Sequence, residues 1–497
     1  MSGPGERREV GATPKIEATP KVEAAPKVEA TEAAITRAGT EAATGGAGTA
    51  TAAAKVASSA AMTARTFGGR LPPLSPRGLL RLRARFRGRP GIVAFLAVMG
   101  PGFIAGVAGN DAGGIATYSV MGAQTGLALL WVFPITIIIL AVVQEMAARL
   151  GVVTGQGLSD LIRDRYGVRW TALAMGVLIV ANVANTVAEF AGAAAALDIF
   201  GVPAIVTVPL LGVVIWALVL FASYRTVERV FLTIALVFLA YVAAAFLARP
   251  DWGHVATALV TPDLAISGAT LLLLVQVVGT TITPYQMFYL QSAVAEKGID
   301  EEELRMEQAD AFVGSAWTNV IAIFIVVACA QALFLNGVTS ISSAADAAQA
   351  LGPFAGGFST VLFGIGLFGA SALAATIMPI STAFVVCEAF GLESGVGKRF
   401  GDAPVFFSLY TLILILGAAI VLVAGQNPIG LILSSQFLQG LLLPIVLVFM
   451  VFLVNDRRLL GRHANGRARN VLAVACVGLV AALSVAGLGA QVLGLGG

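Results

Sequence analysis

Charge-free apolar runs of about 20 residues recur along most of the chain, and each is long enough to cross a bilayer as a helix. Polar breaks between them predict eleven spans, near residues 91–121, 126–148, 170–197, 203–222, 228–248, 268–293, 310–335, 357–390, 404–424, 428–453 and 471–494. The pattern is that of an all-α polytopic membrane protein with eleven transmembrane helices. Composition agrees: 58% of the 497 residues are hydrophobic and 12% charged, against about 25% charged in soluble domains. That balance argues against a globular enzyme. A net charge of +3 gives no reason to expect a nucleic-acid partner. Cys329, Cys387 and Cys476 all fall inside apolar spans, with neither disulfide nor zinc-site spacing, and read as small core residues.

Before the first span the polymer is different. Residues 1 to about 76 are rich in Ala, Thr, Glu, Lys and Pro, with an imperfect hexad repeating from Thr13 (Thr-Pro-Lys-Ile-Glu-Ala). A proline every six residues breaks helix and ladder alike, and too little apolar surface remains to offset chain ordering. Residues 1–89 read as a disordered tail without a signal peptide. The tail ends in a basic cluster of Arg77, Arg81, Arg83, Arg85, Arg87 and Arg89, suited to anionic headgroups on the cytoplasmic side. Residues 90–455 then hold ten helices of a transport core, and 456–497 a basic cytoplasmic loop and the eleventh helix. With the N-terminus inside, 21 basic residues fall on cytoplasmic segments and Arg249 alone outside. Under the positive-inside rule this places the N-terminus in the cytoplasm and the C-terminus outside the cell membrane.

Intramembrane carboxylates are costly, which makes them the first place to look for function. The first span contains Gly-Pro-Gly-Phe at 100–103 and then Ala-Gly-Asn-Asp-Ala-Gly-Gly at 108–114. Glycines 109, 113 and 114 around Asp111 should let the helix unwind near mid-bilayer, freeing carbonyls to line a cation site. A second interruption, Gly279-Thr280-Thr281-Ile282-Thr283-Pro284-Tyr285-Gln286, lies in the sixth span. Broken first and sixth helices in the two halves of a ten-helix core are the signature of an inverted-repeat transporter, with spans 1–5 and 6–10 as repeats. Glu189 is a further intramembrane acid. Glu145 stands one helical turn from Arg149 and reads as an ordinary boundary pair. Gln436, in Ser-Ser-Gln at 434–436, is a buried amide able to bond a neighbouring helix or a cation. His254 and His463 fall in predicted loops, which leaves no imidazole in the core.

These residues resemble the natural-resistance-associated macrophage protein (Nramp) family. The resemblance rests on Gly-Pro-Gly-Phe before an Asp in the broken first helix, Ala-Ala-Arg-Leu-Gly-Val-Val-Thr-Gly at 147–155, Ala-Glu-Phe at 188–190 and Ser-Gln in span ten. It covers about residues 91–455. It implies the five-plus-five inverted-repeat (LeuT-like) fold of amino-acid transporters and uptake of divalent metal. By the same resemblance Asp111 matches the metal-binding aspartate, Ala108 and Thr280 offer backbone carbonyls, and Gln436 matches a glutamine that approaches the ion. The sequence also departs from the family. Its Asp-Pro-Gly-Asn is here Asp111-Ala112-Gly113-Gly114, its Met-Pro-His is Thr283-Pro284-Tyr285, and its third-helix aspartate is Thr186.

Loss of sulfur moves a site from transition metals toward magnesium or calcium. A roomier site suits Mg²⁺, which dehydrates reluctantly, and loss of His and Asp removes proton acceptors. These departures resemble the Nramp-related magnesium transporters. The expectation is therefore uptake of hydrated Mg²⁺ by alternating access without proton coupling. Asp111, Ala108, Thr280, Thr283 and Gln436 would hold the ion, with Gly114, Glu189, Tyr285 and Gln286 behind them. The expected protein is a monomer in the lipid bilayer, without a cofactor. The alternative is a proton-coupled Mn²⁺/Fe²⁺ symporter. An amino-acid transporter is disfavoured because Asp111 would repel a substrate carboxylate, and an intramembrane aspartyl protease because it needs two facing aspartates.

Overall fold

The computed structural model describes residues 102, 105, 106, 109–221, 239–262, 267–297, 299, 301–341, 343–352, 356–393, 400–424 and 427–495. The tail of residues 1–89, Ala108, Arg225, Arg229, Lys398 and Arg399 lie outside them. Among the described residues every regular element is a helix.

The elements that matter here, in chain order, are α1 (Ala112–Thr125), α2 (Val132–Thr154), α3 (Leu158–Tyr166), α4 (Val168–Asp198), α5 (Ala204–Phe221), α6 (Leu239–Leu247) and α7 (Trp252–Val260). They continue with α8 (Gly268–Thr281), α9 (Pro284–Lys297), α10 (Leu304–Ala332), α11 (Ser359–Ala389), α12 (Pro404–Ala424), α13 (Pro428–Asn455) and α14 (Arg467–Val492). Among the described residues, eight helices are long and apolar enough to cross a membrane, with α8 and α9 together forming one of them. The described parts of spans one, four and five, α1, α5 and α6, are shorter.

Helix ends follow local chemistry. Prolines open α9, α12 and α13, where the missing N–H would have no partner. Asn427 caps α13 by accepting the Gly430 N–H at 2.8 Å, and Gly155 closes α2 at φ 63°. Two of the predicted loops contain nine-residue helices. In α3, Leu158, Leu161 and Ile162 are buried while Arg163 and Arg165 stay at the surface. In α7, Asp251 accepts the Gly253 and His254 N–H groups. His254 is thus an exposed residue of a short capped helix, not of a loop, though still outside the core. Nine residues are too few to span a bilayer, so hydropathy alone reads such elements as breaks.

The centre of the bundle is α4, packed against α11, α12 and α13, while α10 lies along α1 and α2, and α8 along α13 and α14. Close approach depends on small residues, as expected where helices pack in lipid. A Cβ on Gly279 would overlap the Gln436 carbonyl of α13, and one on Gly440 would come within 2.6 Å of the Val275 carbonyl. Apolar side chains such as Ile205 of α5, Val423 of α12 and Val485 of α14 face outward, as a lipid-facing belt requires. All three cysteines are buried free thiols.

Loops expected on one side do meet. Arg149 donates to the His463 carbonyl at 2.6 Å and to Asn465 Oδ1 at 2.8 Å. Arg165 pairs with Asp456 at 2.6 Å, and Arg462 with Glu301 at 2.6 Å. The segments after α2, α9 and α13 therefore share one end of the bundle, as the alternation of spans demands.

Candidate metal site

The first break is built around Asp111. Gly109 N–H donates to the Gly106 carbonyl at 3.1 Å, and that carbonyl also accepts the Thr318 hydroxyl of α10. The chain then runs extended through Asp111 (φ −78°, ψ −171°), the N-cap of α1, whose Oδ1 accepts the Gly114 N–H at 2.9 Å. The carboxyl is 4% exposed and points into protein. A Cβ on Gly113 would overlap the Gln436 amide, and one on Gly114 the Gly109 carbonyl. In this arrangement a side chain at 114 would press on backbone, whereas one at 113 would press on the movable end of Gln436.

The second break ends α8 at Thr281 and restarts at Pro284. Gln286 folds back across it, its Oε1 accepting the Thr283 N–H at 3.3 Å. The two breaks adjoin. A Cβ on Gly109 would lie 3.3 Å from Gln286 Nε2 and 3.4 Å from the Thr281 carbonyl, and Tyr118 of α1 bonds the Thr281 hydroxyl at 2.9 Å. Thr280 Oγ1, Thr283 Oγ1 and Gln286 Nε2 are buried with no hydrogen-bond partner among the described residues. Tyr285 is buried and borders a small crevice between α4, α9 and α11, with Asn182, Tyr289 and Thr382.

Side chains from unbroken helices close the cluster. Asn185 of α4 donates through Nδ2 to Asp111 Oδ2 at 3.2 Å and to the sulfur of Met378 on α11. Its Oδ1 accepts from Gln436 Nε2 at 3.2 Å and from Gln439 Nε2 at 2.7 Å, both on α13. Glu189, one turn after Asn185, lies beside Asp111 and Ala112. Neither oxygen makes a well-formed hydrogen bond among the described residues, although the Ala112 backbone and the Asp111 carboxyl lie within reach. Thr186 turns away, bonding the Asn182 carbonyl at 2.7 Å and placing its methyl group against Gly417 of α12.

Of the residues singled out in the sequence, Asp111, Gly114 and Gln436 stand together. Gln286 and Thr283 line the adjoining break, and Ala108 is outside the described residues. Asn185, Gln439 and Met378 were not singled out. A helical reading could have found the first two: Asn185 and Glu189 are spaced i, i+4, and Gln436 and Gln439 i, i+3, so each pair shares one face of an otherwise apolar helix. Met378 gives no such signal among apolar neighbours. Among the described residues no three His, Cys, Asp or Glu side chains gather, and no ion pair to Asp111 is found. The site thus combines two carboxyls with hydroxyl and amide groups and one thioether.

Known proteins resemble the chain as a whole. Residues 102–490 fit the family model described as natural resistance-associated macrophage protein-like. The chain is 28% identical to the divalent metal cation transporter MntH of Granulibacter bethesdensis, over 83% of this chain and 93% of that one. It is 29% identical to the protein of the same name from Yersinia pestis, over 80% and 95%. A solved manganese transporter of Eremococcus coleocola superposes with a TM-score of 0.64 at 24% identity, covering 82% of this chain and 89% of that one. That likeness supports the five-plus-five inverted-repeat fold.

Proposed function

The chain belongs to the natural resistance-associated macrophage protein (Nramp) family, and we propose that it carries divalent metal cations across the membrane by alternating access, with Mn²⁺ or Fe²⁺ as cargo. The observation that carries the transport reading is Asp111: a buried carboxyl at a helix break, facing a second break and ringed by neutral donors. A dication is the chemical species that such a cluster complements. Transition metal as cargo is supported by the relatives, named as divalent metal and manganese transporters.

Hydrated Mg²⁺ remains the second reading, favoured by one observation: Thr283 presents a hydroxyl, not a sulfur, at the second break. Uptake without protons would still be driven, because two charges crossing about 100 mV gain roughly 4.6 kcal/mol. Glu189 beside Asp111 speaks for the coupled alternative, since a second carboxyl gives a proton a place next to the cation. The basic loops at the shared end face the cytoplasm in this proposal, which puts the C-terminus outside.

Proteoliposome uptake of Mn²⁺ and Mg²⁺, with internal pH recorded, tests the reading. Mn²⁺ uptake that resists excess Mg²⁺ and acidifies the lumen is the expected result. Mg²⁺ uptake at constant internal pH, with Mn²⁺ excluded, would establish the second reading instead.

A further inference from the structure

We infer that Asn185 and Met378 are cargo ligands, supplying an amide oxygen from α4 and a thioether from α11 to the ion held by Asp111. The inference rests on the transport reading above and extends its ligand set beyond the two broken helices. Three observations meet here. The Asn185 NH₂ group, with its partial positive charge, sits between Asp111 Oδ2 at 3.2 Å and the Met378 sulfur. A cation close beside that group, with the amide turned to present its oxygen, would meet a carboxylate, an amide oxygen and a thioether together. Both side chains are buried, Asn185 fully and Met378 at 1% exposure, so neither sulfur nor amide is spent on solvent.

The amides can also rearrange together, provided Gln436 turns with them, because its Nε2 and Oε1 now bond Asn185 and Gln439. Turning Asn185 about its terminal torsion would bring Oδ1 toward Asp111 and the ion, and the NH₂ group toward α13. Gln439 Oε1, buried and without a hydrogen-bond partner among the described residues, is the acceptor that this turn requires. If Gln439 turns as well, its oxygen receives the Asn185 NH₂ group. An unpaired buried carbonyl is costly, and here it serves as the landing point of an amide relay. The resulting set of carboxylate, amide oxygen and thioether has mixed hardness, and the sulfur discriminates for softer dications.

The test is competition by Cd²⁺ and by Mg²⁺ against Mn²⁺ uptake in proteoliposomes, for the full chain and for Met378→Leu, a volume-conserving change. The expected result is a fall of about tenfold in the preference for Cd²⁺ over Mg²⁺. X-ray absorption at the cadmium edge of the Cd²⁺-loaded wild-type protein should show a sulfur neighbour, which keeps the inference testable if the variant folds poorly. A preference within about twofold of wild type, or a shell of oxygen and nitrogen alone, would overturn it and leave the transport reading standing. A wild-type protein that moves no dication would sink both.

Discussion

Two buried polar clusters in this molecule differ in what completes them. At the shared end of the bundle, Arg149 is 1% exposed, yet its guanidinium meets Glu145 at 3.0 Å, the His463 carbonyl and Asn465, while Gln308 donates to the other Glu145 oxygen at 2.7 Å. Charge there is answered by charge, and the cluster ties α2 to α10 and to the segment after α13. At the helix breaks, Asp111 and Glu189 lie together and no ion pair to either is found among the described residues. Thr280, Thr283, Gln286 and Gln439 also keep unbonded polar atoms there. The first cluster is closed around its charges and structural, although Arg149 Nε and Asn465 Nδ2 keep no hydrogen-bond partner among the described residues. The second has the groups that the proposed dication would complete, and unmet buried polar groups of this kind are costly unless function requires them.

The contrast can be broken from either side. Removing the cation of the closed cluster with Arg149→Met should cost about 2 kcal/mol in thermal unfolding of the purified protein. That is less than a fully buried pair would cost, because Glu145 is 24% exposed. Uptake per folded molecule should survive, since Arg149 touches no residue of the helix breaks; loss of uptake at full stability would reverse the two roles. At the helix breaks, Gln436→Leu removes one of two donors to Asn185 and the acceptor of Gln439. Uptake should fall about tenfold, with a smaller change in stability than Arg149→Met gives.

The smallest effect belongs to the exposed rim of the closed cluster. Hydrogen bonds from Arg462 at 2.6 Å and His463 at 3.1 Å hold the Glu301 carboxyl below its usual range. The contact therefore contributes above the unfolded-chain value of about 4.3 and is lost as pH falls through the lowered one. Glu301→Gln should lower the melting temperature slightly at neutral pH and not at all in strong acid. An equal difference at both would assign the effect to something other than this carboxylate.

Much of this was legible in the sequence because its causes are local. Apolar run length located the spans, glycines around Asp111 and Pro284 located the breaks, and i, i+4 spacing paired Glu145 with Arg149. The short helices α3 and α7 were read as loops because their length and polarity fit no span. The shell around Asp111 was half legible. Thr283 suggested a site of oxygen ligands, yet Asn185 and Met378 reach the same point from α4 and α11, almost two hundred residues apart in the chain. No periodicity within one helix records which face of another it will meet. The eleven-span count depends partly on residues outside those described, and its described portion agrees in order and position.

The central claim is that Asp111 holds the cargo, and Mn²⁺ uptake into proteoliposomes by wild type and Asp111→Asn tests it most directly. The substitution keeps size and an acceptor for the Gly114 N–H while removing the charge. Uptake should fall by at least about a hundredfold in a protein of near wild-type stability, because the dication loses a charged ligand at the two breaks. Uptake within about twofold of wild type would place the transported ion elsewhere.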